Sequence, residues 1–152
     1  MTEQQRVNIG KQHPDSYQAL LALSTAVEES AAAAGLDPLL VELLKIRTSQ
    51  INGCAFCLRM HTRDALKKGE NPDRIAVLPA WEEAGYFSGT DRAALRLTEA
   101  ITRVPEGHVS DADYEAAAAV LTADQVSAVA WLATLMNAFN RVAITSRYRV
   151  AG

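Results

Sequence analysis

Apolar residues recur at three- and four-residue intervals along most of this chain, and no segment alternates apolar and polar residues between tight turns as a strand would. The pattern predicts an all-α fold. Tyr17, Leu20, Leu21, Ser24 and Val27 mark a first helix from near Pro14 to Ala34, with Gly35 as its stop. Asp37-Pro38 supplies an N-cap followed by proline at the first helical position, opening a second helix to about Ile51. Its inner stripe is Leu39, Leu43, Ile46 and Gln50, with Glu42 at the edge. A third helix, Cys54 to Lys68, closes at Gly69. Asn71-Pro72 begins a short helix, and Pro79 to Gly85 forms another piece beside Trp81, Tyr86 and Phe87. Thr90-Asp91 starts a helix to about Arg103, which Val104-Pro105-Glu106-Gly107 interrupts. Ser110 with Asp113, and Thr122 with Gln125, read as capping boxes, so two more helices begin there, the last running from Ala123 to about Tyr148. On that last helix Val126, Val129, Ala130, Leu132, Ala133, Met136 and Phe139 spread over more than one narrow stripe. This is more apolar face than one small bundle needs, and it predicts a homo-oligomer.

Length and composition narrow the class. A chain of 152 residues fits one domain, 1–152. A hydrophobic share of 49% with 22% charged residues is ordinary for a globular protein, and the alanine runs Ala31 to Ala34 and Ala116 to Ala119 lean further towards helix. A net charge of −3 gives no reason to expect a nucleic-acid partner. The polar start and the short apolar run around Ala128 to Met136 predict neither a leader nor a membrane span, hence a cytoplasmic protein. Two cysteines at CxxC spacing in such a chain are not a secreted disulfide framework; they point to catalysis or metal binding.

Both cysteines lie in Asn52-Gly53-Cys54-Ala55-Phe56-Cys57-Leu58-Arg59-Met60-His61. On a helix, Cys54, Cys57 and His61 stand at i, i+3 and i+7 and share one face. Asn52 and Gly53 are cap-type residues, which places the cysteines in the first turn, where free amide N–H groups and the helix dipole lower a thiol pKa from ~8.5 into roughly 3.5–7.5. That argument favours Cys54 as the more reactive and more exposed sulfur. Glu42, on the preceding helix, is either a partly buried carboxylate with a raised pKa, suited to carrying protons, or the acidic half of an exposed i, i+3 pair with Lys45. A zinc reading has only Cys54, Cys57 and His61 to offer, three ligands on one helix, with His13 and His108 in distant contexts. A thioredoxin fold requires a βαβ setting that the pattern does not supply.

Glu42, eleven intervening residues, Cys54-x-x-Cys57, then x-x-x-His61 resembles the core motif of the alkylhydroperoxidase D-like family within the carboxymuconolactone decarboxylase superfamily. The lead-in Leu44-Lys45-Ile46-Arg47-Thr48-Ser49-Gln50-Ile51-Asn52-Gly53 and the segment Asn137-Ala138-Phe139-Asn140-Arg141 are similar to that family as well, so the likeness runs from about Asp37 to Tyr148. The resemblance implies an all-helical fold that assembles as a trimer or hexamer. It further implies a thiol peroxidase that reduces organic hydroperoxides or peroxynitrite with electrons from an external thiol or dithiol reductant, using no cofactor and no metal. Carried onto this sequence, Cys57 would attack the peroxide and Cys54 would resolve the sulfenic acid and meet the reductant. Glu42 and His61 would form a proton relay. Phe56 stands where better-known members carry a second histidine; phenylalanine neither accepts nor donates a proton, so that contribution to activation is missing. The relay favours Cys57 as the nucleophile and helix-terminus electrostatics favours Cys54.

Two other classes remain open in the sequence. One is a redox-sensing or structural helical oligomer whose cysteines form a disulfide without turnover. The other is the superfamily's lactone decarboxylase branch, which lacks the dithiol. Arg47, Asn137, Asn140 and Arg141 read as interhelix hydrogen-bond partners ahead of pocket residues, Trp81, Tyr86 and Phe87 as core or interface, and His13 and His108 as solvated.

Overall fold

The computed structural model describes residues 5–152, and every regular element among them is helical. In chain order these are α1 (Ile9–Gln12), α2 (Pro14–Ala33), α3 (Pro38–Asn52), α4 (Ala55–Lys67), α5 (Pro72–Ala76), a 3₁₀ turn (Leu78–Ala80), α6 (Gly89–Thr102), α7 (Val104–Gly107), α8 (Asp111–Ala118) and α9 (Ala123–Ser146). Local chemistry sets most of the starts. Asp37 Oδ1 accepts from the Leu39 amide at 2.7 Å with Pro38 behind it, and Asn71 caps α5 in the same way. Thr122 and Gln125 form the full capping box that opens α9. The box that opens α6 is Ser88 with Asp91, so that helix begins at Gly89 and not at Thr90. Ser110 caps α8, but its hydroxyl donates to Asp113 Oδ2, so the reciprocal half of a box is not made there.

The centre of the molecule is α3, which packs against α4, α6 and α9. Its ten residues from Leu40 to Ser49 are all buried, which replaces the expected single stripe on Leu39, Leu43, Ile46 and Gln50. A helix wrapped on every side must satisfy its polar groups internally. Arg47 Nε donates to Glu99 Oε1 on α6 at 2.8 Å, and Trp81 Nε1 donates to the same oxygen at 2.8 Å. At the far end of α3, Asn52 Nδ2 donates to both Asn137 Oδ1 and Asn140 Oδ1 at 2.9 Å, and the fully buried Asn140 donates on to Ser49 Oγ at 3.0 Å. These amides fix α9 against α3. No helix among the described residues is long and apolar enough to cross a membrane.

Candidate active site

The turn between α3 and α4 delivers the cysteines. Gly53 is the C-cap of α3 in the left-handed conformation, φ +67°, which glycine adopts without a Cβ penalty. Asn52 is the last helical residue of α3 and ties it to α9, so neither residue caps α4 as the sequence suggested. The cap is Cys54 itself, whose Sγ accepts from the Cys57 amide at 3.3 Å. Cys54 and Cys57 are disulfide-bonded, with Cα atoms 5.3 Å apart. In that state neither sulfur is a thiolate, so the Cys54, Cys57 and His61 ligand set is not available to zinc.

Cys57, His61 and Glu42 line one cavity of about 560 Å³, and Cys54 does not. The walls are mostly apolar, from Leu21 on α2, Met60 on α4 and Met136 and Phe139 on α9. Both cysteines are buried, Cys54 at 1% and Cys57 at 2% exposure, which corrects the expectation that Cys54 is the more exposed sulfur. The pair packs with Phe56, Ala143 and Tyr148, which line the same cavity, and the Phe56 and Tyr148 rings meet edge to face at 5.0 Å. Phe56 thus fills with packing the position at which a histidine was missed.

Glu42 is 98% buried and lies 3.4 Å through Oε2 from His61 Nδ1, an ion-pair distance without hydrogen-bond geometry, and neither atom has another partner. Its Oε1 accepts from Lys68 Nζ at 2.8 Å and lies 3.4 Å from Lys45 Nζ. Lys45 is held in turn by Glu28 of α2. Burial pushes the Glu42 carboxyl upward, but the His61 contact, the Lys68 hydrogen bond and the two lysine charges together outweigh it and lower the pKa from 4.5 to about 2. This reverses the expected direction of the shift: the carboxylate is buried as expected, yet its partners favour the ionised form over the protonated one. The i, i+3 pair with Lys45 forms too, inside the protein and not on its surface.

Lys68 was missed from the sequence, although a signal existed. It continues the face of Cys57, His61 and Asp64 at i, i+4, i+7 and i+11. Glu42, His61 and Asp64 also bring one ligand atom each within 4.8 Å of one another. The two ammonium groups on Glu42 oppose a cation there. Arg47, Asn137, Asn140 and Arg141 stand outside the cavity and serve interhelix or intrahelix hydrogen bonds. Trp81 and Phe87 are core, Tyr86 is exposed, and His13 and His108 are exposed and away from the site.

The fold and site together are an all-helical domain with a disulfide-bonded CxxC pair beside a buried Glu–His contact. The chain belongs to the carboxymuconolactone decarboxylase family, whose sequence model matches residues 14–100. It is 35% identical over 147 residues, 97% of each chain, to the uncharacterised protein YdfG of Bacillus subtilis (strain 168). It also resembles, at 28% identity over 70 residues covering 46% of this chain and 38% of the relative, the uncharacterised YnjA of Escherichia coli (strain K12). The fold matches the crystal structure of ATU0492 from Agrobacterium tumefaciens at TM-score 0.89 and 28% identity, over 98% of this chain and 99% of that one. That protein is described as of unknown function and, as a suggestion, as the antioxidant defence protein AhpD.

Proposed function

We propose that the protein is a thiol-dependent peroxidase with an antioxidant role, reducing organic hydroperoxides through the Cys54–Cys57 dithiol. The observation that carries this reading is the placement of Cys57, His61 and Glu42 on one apolar cavity from which Cys54 is excluded. The likeness to ATU0492 supports it. In the reduced protein, His61 takes the Cys57 thiol proton, and the thiolate attacks the terminal peroxide oxygen. The O–O bond breaks, the alkoxide leaves and takes the proton back from His61, and Cys57 becomes a sulfenic acid. The Cys54 thiol then displaces the sulfenic oxygen as water and closes the disulfide. An external dithiol supplies two electrons and two protons to reopen it. Glu42, ionised throughout, orients the imidazole and stabilises its protonated form. The apolar walls suit an organic peroxide better than the small anion peroxynitrite.

The test is a thiol count before and after one equivalent of cumene hydroperoxide in metal-free buffer, followed by trapping with dimedone. The wild-type protein is expected to lose two thiols. Cys54→Ser is expected to carry the adduct on Cys57, and Cys57→Ser to consume no peroxide. An adduct on Cys54 in the Cys57→Ser protein overturns the assignment. No loss of thiols favours the second reading, a redox-sensing disulfide without turnover, which the near-complete burial of Cys54 recommends. We also propose that the chain assembles as a homo-oligomer.

A further inference from the structure

Glu42 is gripped by more positive charge than a proton relay requires. Lys68 Nζ and Lys45 Nζ both approach Oε1, at 2.8 Å and 3.4 Å, while Oε2 faces His61 Nδ1 with no hydrogen bond of its own. Lys45 is anchored from behind by Glu28, so α2, α3 and α4 all contribute to the cluster. The other charged groups lining the cavity are Asp64 and Lys67 on α4, with the Tyr17 phenol on α2, whereas α9 presents only apolar side chains such as Leu135, Met136 and Phe139 to it. A carboxylate held at one oxygen by two ammonium groups cannot turn without losing both contacts, so its second oxygen stays directed at the imidazole.

We infer that Lys68, with Lys45 and Glu28 behind it, is a charge clamp that fixes the Glu42 carboxylate against His61, so that protons pass through the imidazole and not through the carboxylate. Lys68 is a positioning residue, acting on the site only through Glu42. The clamp's effect on turnover rests on the peroxidase reading above; its effect on Glu42 does not. Half of the Lys68 side chain is exposed, at 48%, so its removal leaves the core intact.

The experiment follows the Glu42 carboxyl by ¹³C NMR in the full-length protein, labelled at glutamate and assigned with Glu42→Gln, alongside the pH profile of Cys57 oxidation by cumene hydroperoxide. In the wild type the carboxyl is expected to titrate near pH 2. Lys68→Met is expected to raise that midpoint by roughly one pH unit and to move the acid limb of the rate profile to higher pH, because the carboxylate that orients the imidazole is neutralised at higher pH once a cation is gone. Lys68→Arg is expected to restore both. Glu28→Gln frees Lys45 for Glu42 and is expected not to raise the midpoint, which separates the clamp from general loosening of the fold. An unmoved midpoint in Lys68→Met overturns the clamp. A raised midpoint with an unmoved rate profile overturns the proton path. A raised midpoint in a protein that consumes no peroxide supports the clamp and overturns the peroxidase reading alone.

Discussion

At Glu42 the sign of the electrostatics decides both stability and chemistry. Its folded pKa of about 2 lies below the ordinary 4.5, so the ion pairs it makes stabilise the fold fully above pH 4.5 and that contribution is lost as pH falls from 4.5 towards 2. Glu42→Gln removes it. Relative to wild type, the variant is expected to lose on the order of 2–3 kcal/mol at pH 7, with the difference closing by pH 2, as read from urea unfolding midpoints across that range. The same substitution is expected to slow Cys57 oxidation by roughly 10²-fold, since the imidazole loses its orienting anion. The burial of this carboxylate was legible in the helical pattern, but its partners were not. Lys68 lies 26 residues away and reaches Glu42 only because α4 folds back along α3. Phe56 offers a second test beside Cys57. Phe56→His gives up the edge-to-face contact with Tyr148, costing about 1 kcal/mol, and places a proton acceptor beside Cys57. Stopped-flow oxidation of the reduced variant is expected to be faster than wild type.

Among the elements, the start of α4 joins fold to function, because one atom serves both: Cys54 Sγ is the helix cap and half of the redox pair. Cys54→Ser keeps an acceptor at the cap and Cys54→Ala does not, while both lose the disulfide. The alanine variant is therefore expected to be less stable than the serine variant by about 1 kcal/mol, with faster hydrogen exchange at the Cys57 amide. Gly53→Ala meets no side chain, so its cost is the backbone strain of φ +67°, about 1 kcal/mol. What was legible here was local. Asp37-Pro38, Asn71-Pro72 and Thr122 with Gln125 announce their helices because a cap satisfies amides within three residues. Asn52 and Gly53 misled for the complementary reason: the same residue types also end helices and bridge them. The short α1, capped by Asn8 and tied to Ser146 Oγ through the Ile9 amide at 3.1 Å, depends on a contact with the far end of the chain and was not foreseen.

For the whole molecule, the evidence for assembly has moved from where the sequence put it. Val126, Val129, Leu132, Ala133 and Met136 of α9, the apolar surplus that suggested a partner, are buried by this chain's own helices, with Ala130 and Phe139 half-buried. The apolar surface left over lies elsewhere. Trp131 stands 50% exposed on the outer face of α9, and Leu21 and Met60 are exposed at the walls of the cavity. Tryptophan is among the residue types enriched at protein interfaces, where its ring is buried and its N–H finds a partner. A homo-trimer or hexamer that covers Trp131 would remove that exposed surface. Light scattering at micromolar concentration is expected to give three or six times the 16.4 kDa chain mass, and Trp131→Glu, which places a charge at the covered face, is expected to shift the distribution towards the single chain while leaving the helical circular dichroism unchanged. A mass of 16.4 kDa for the wild-type protein overturns the assembly. A wild-type oligomer unaffected by Trp131→Glu would instead move the interface to the cavity side, where a neighbouring copy would close over Leu21 and Met60 and restrict the path a hydroperoxide takes to Cys57.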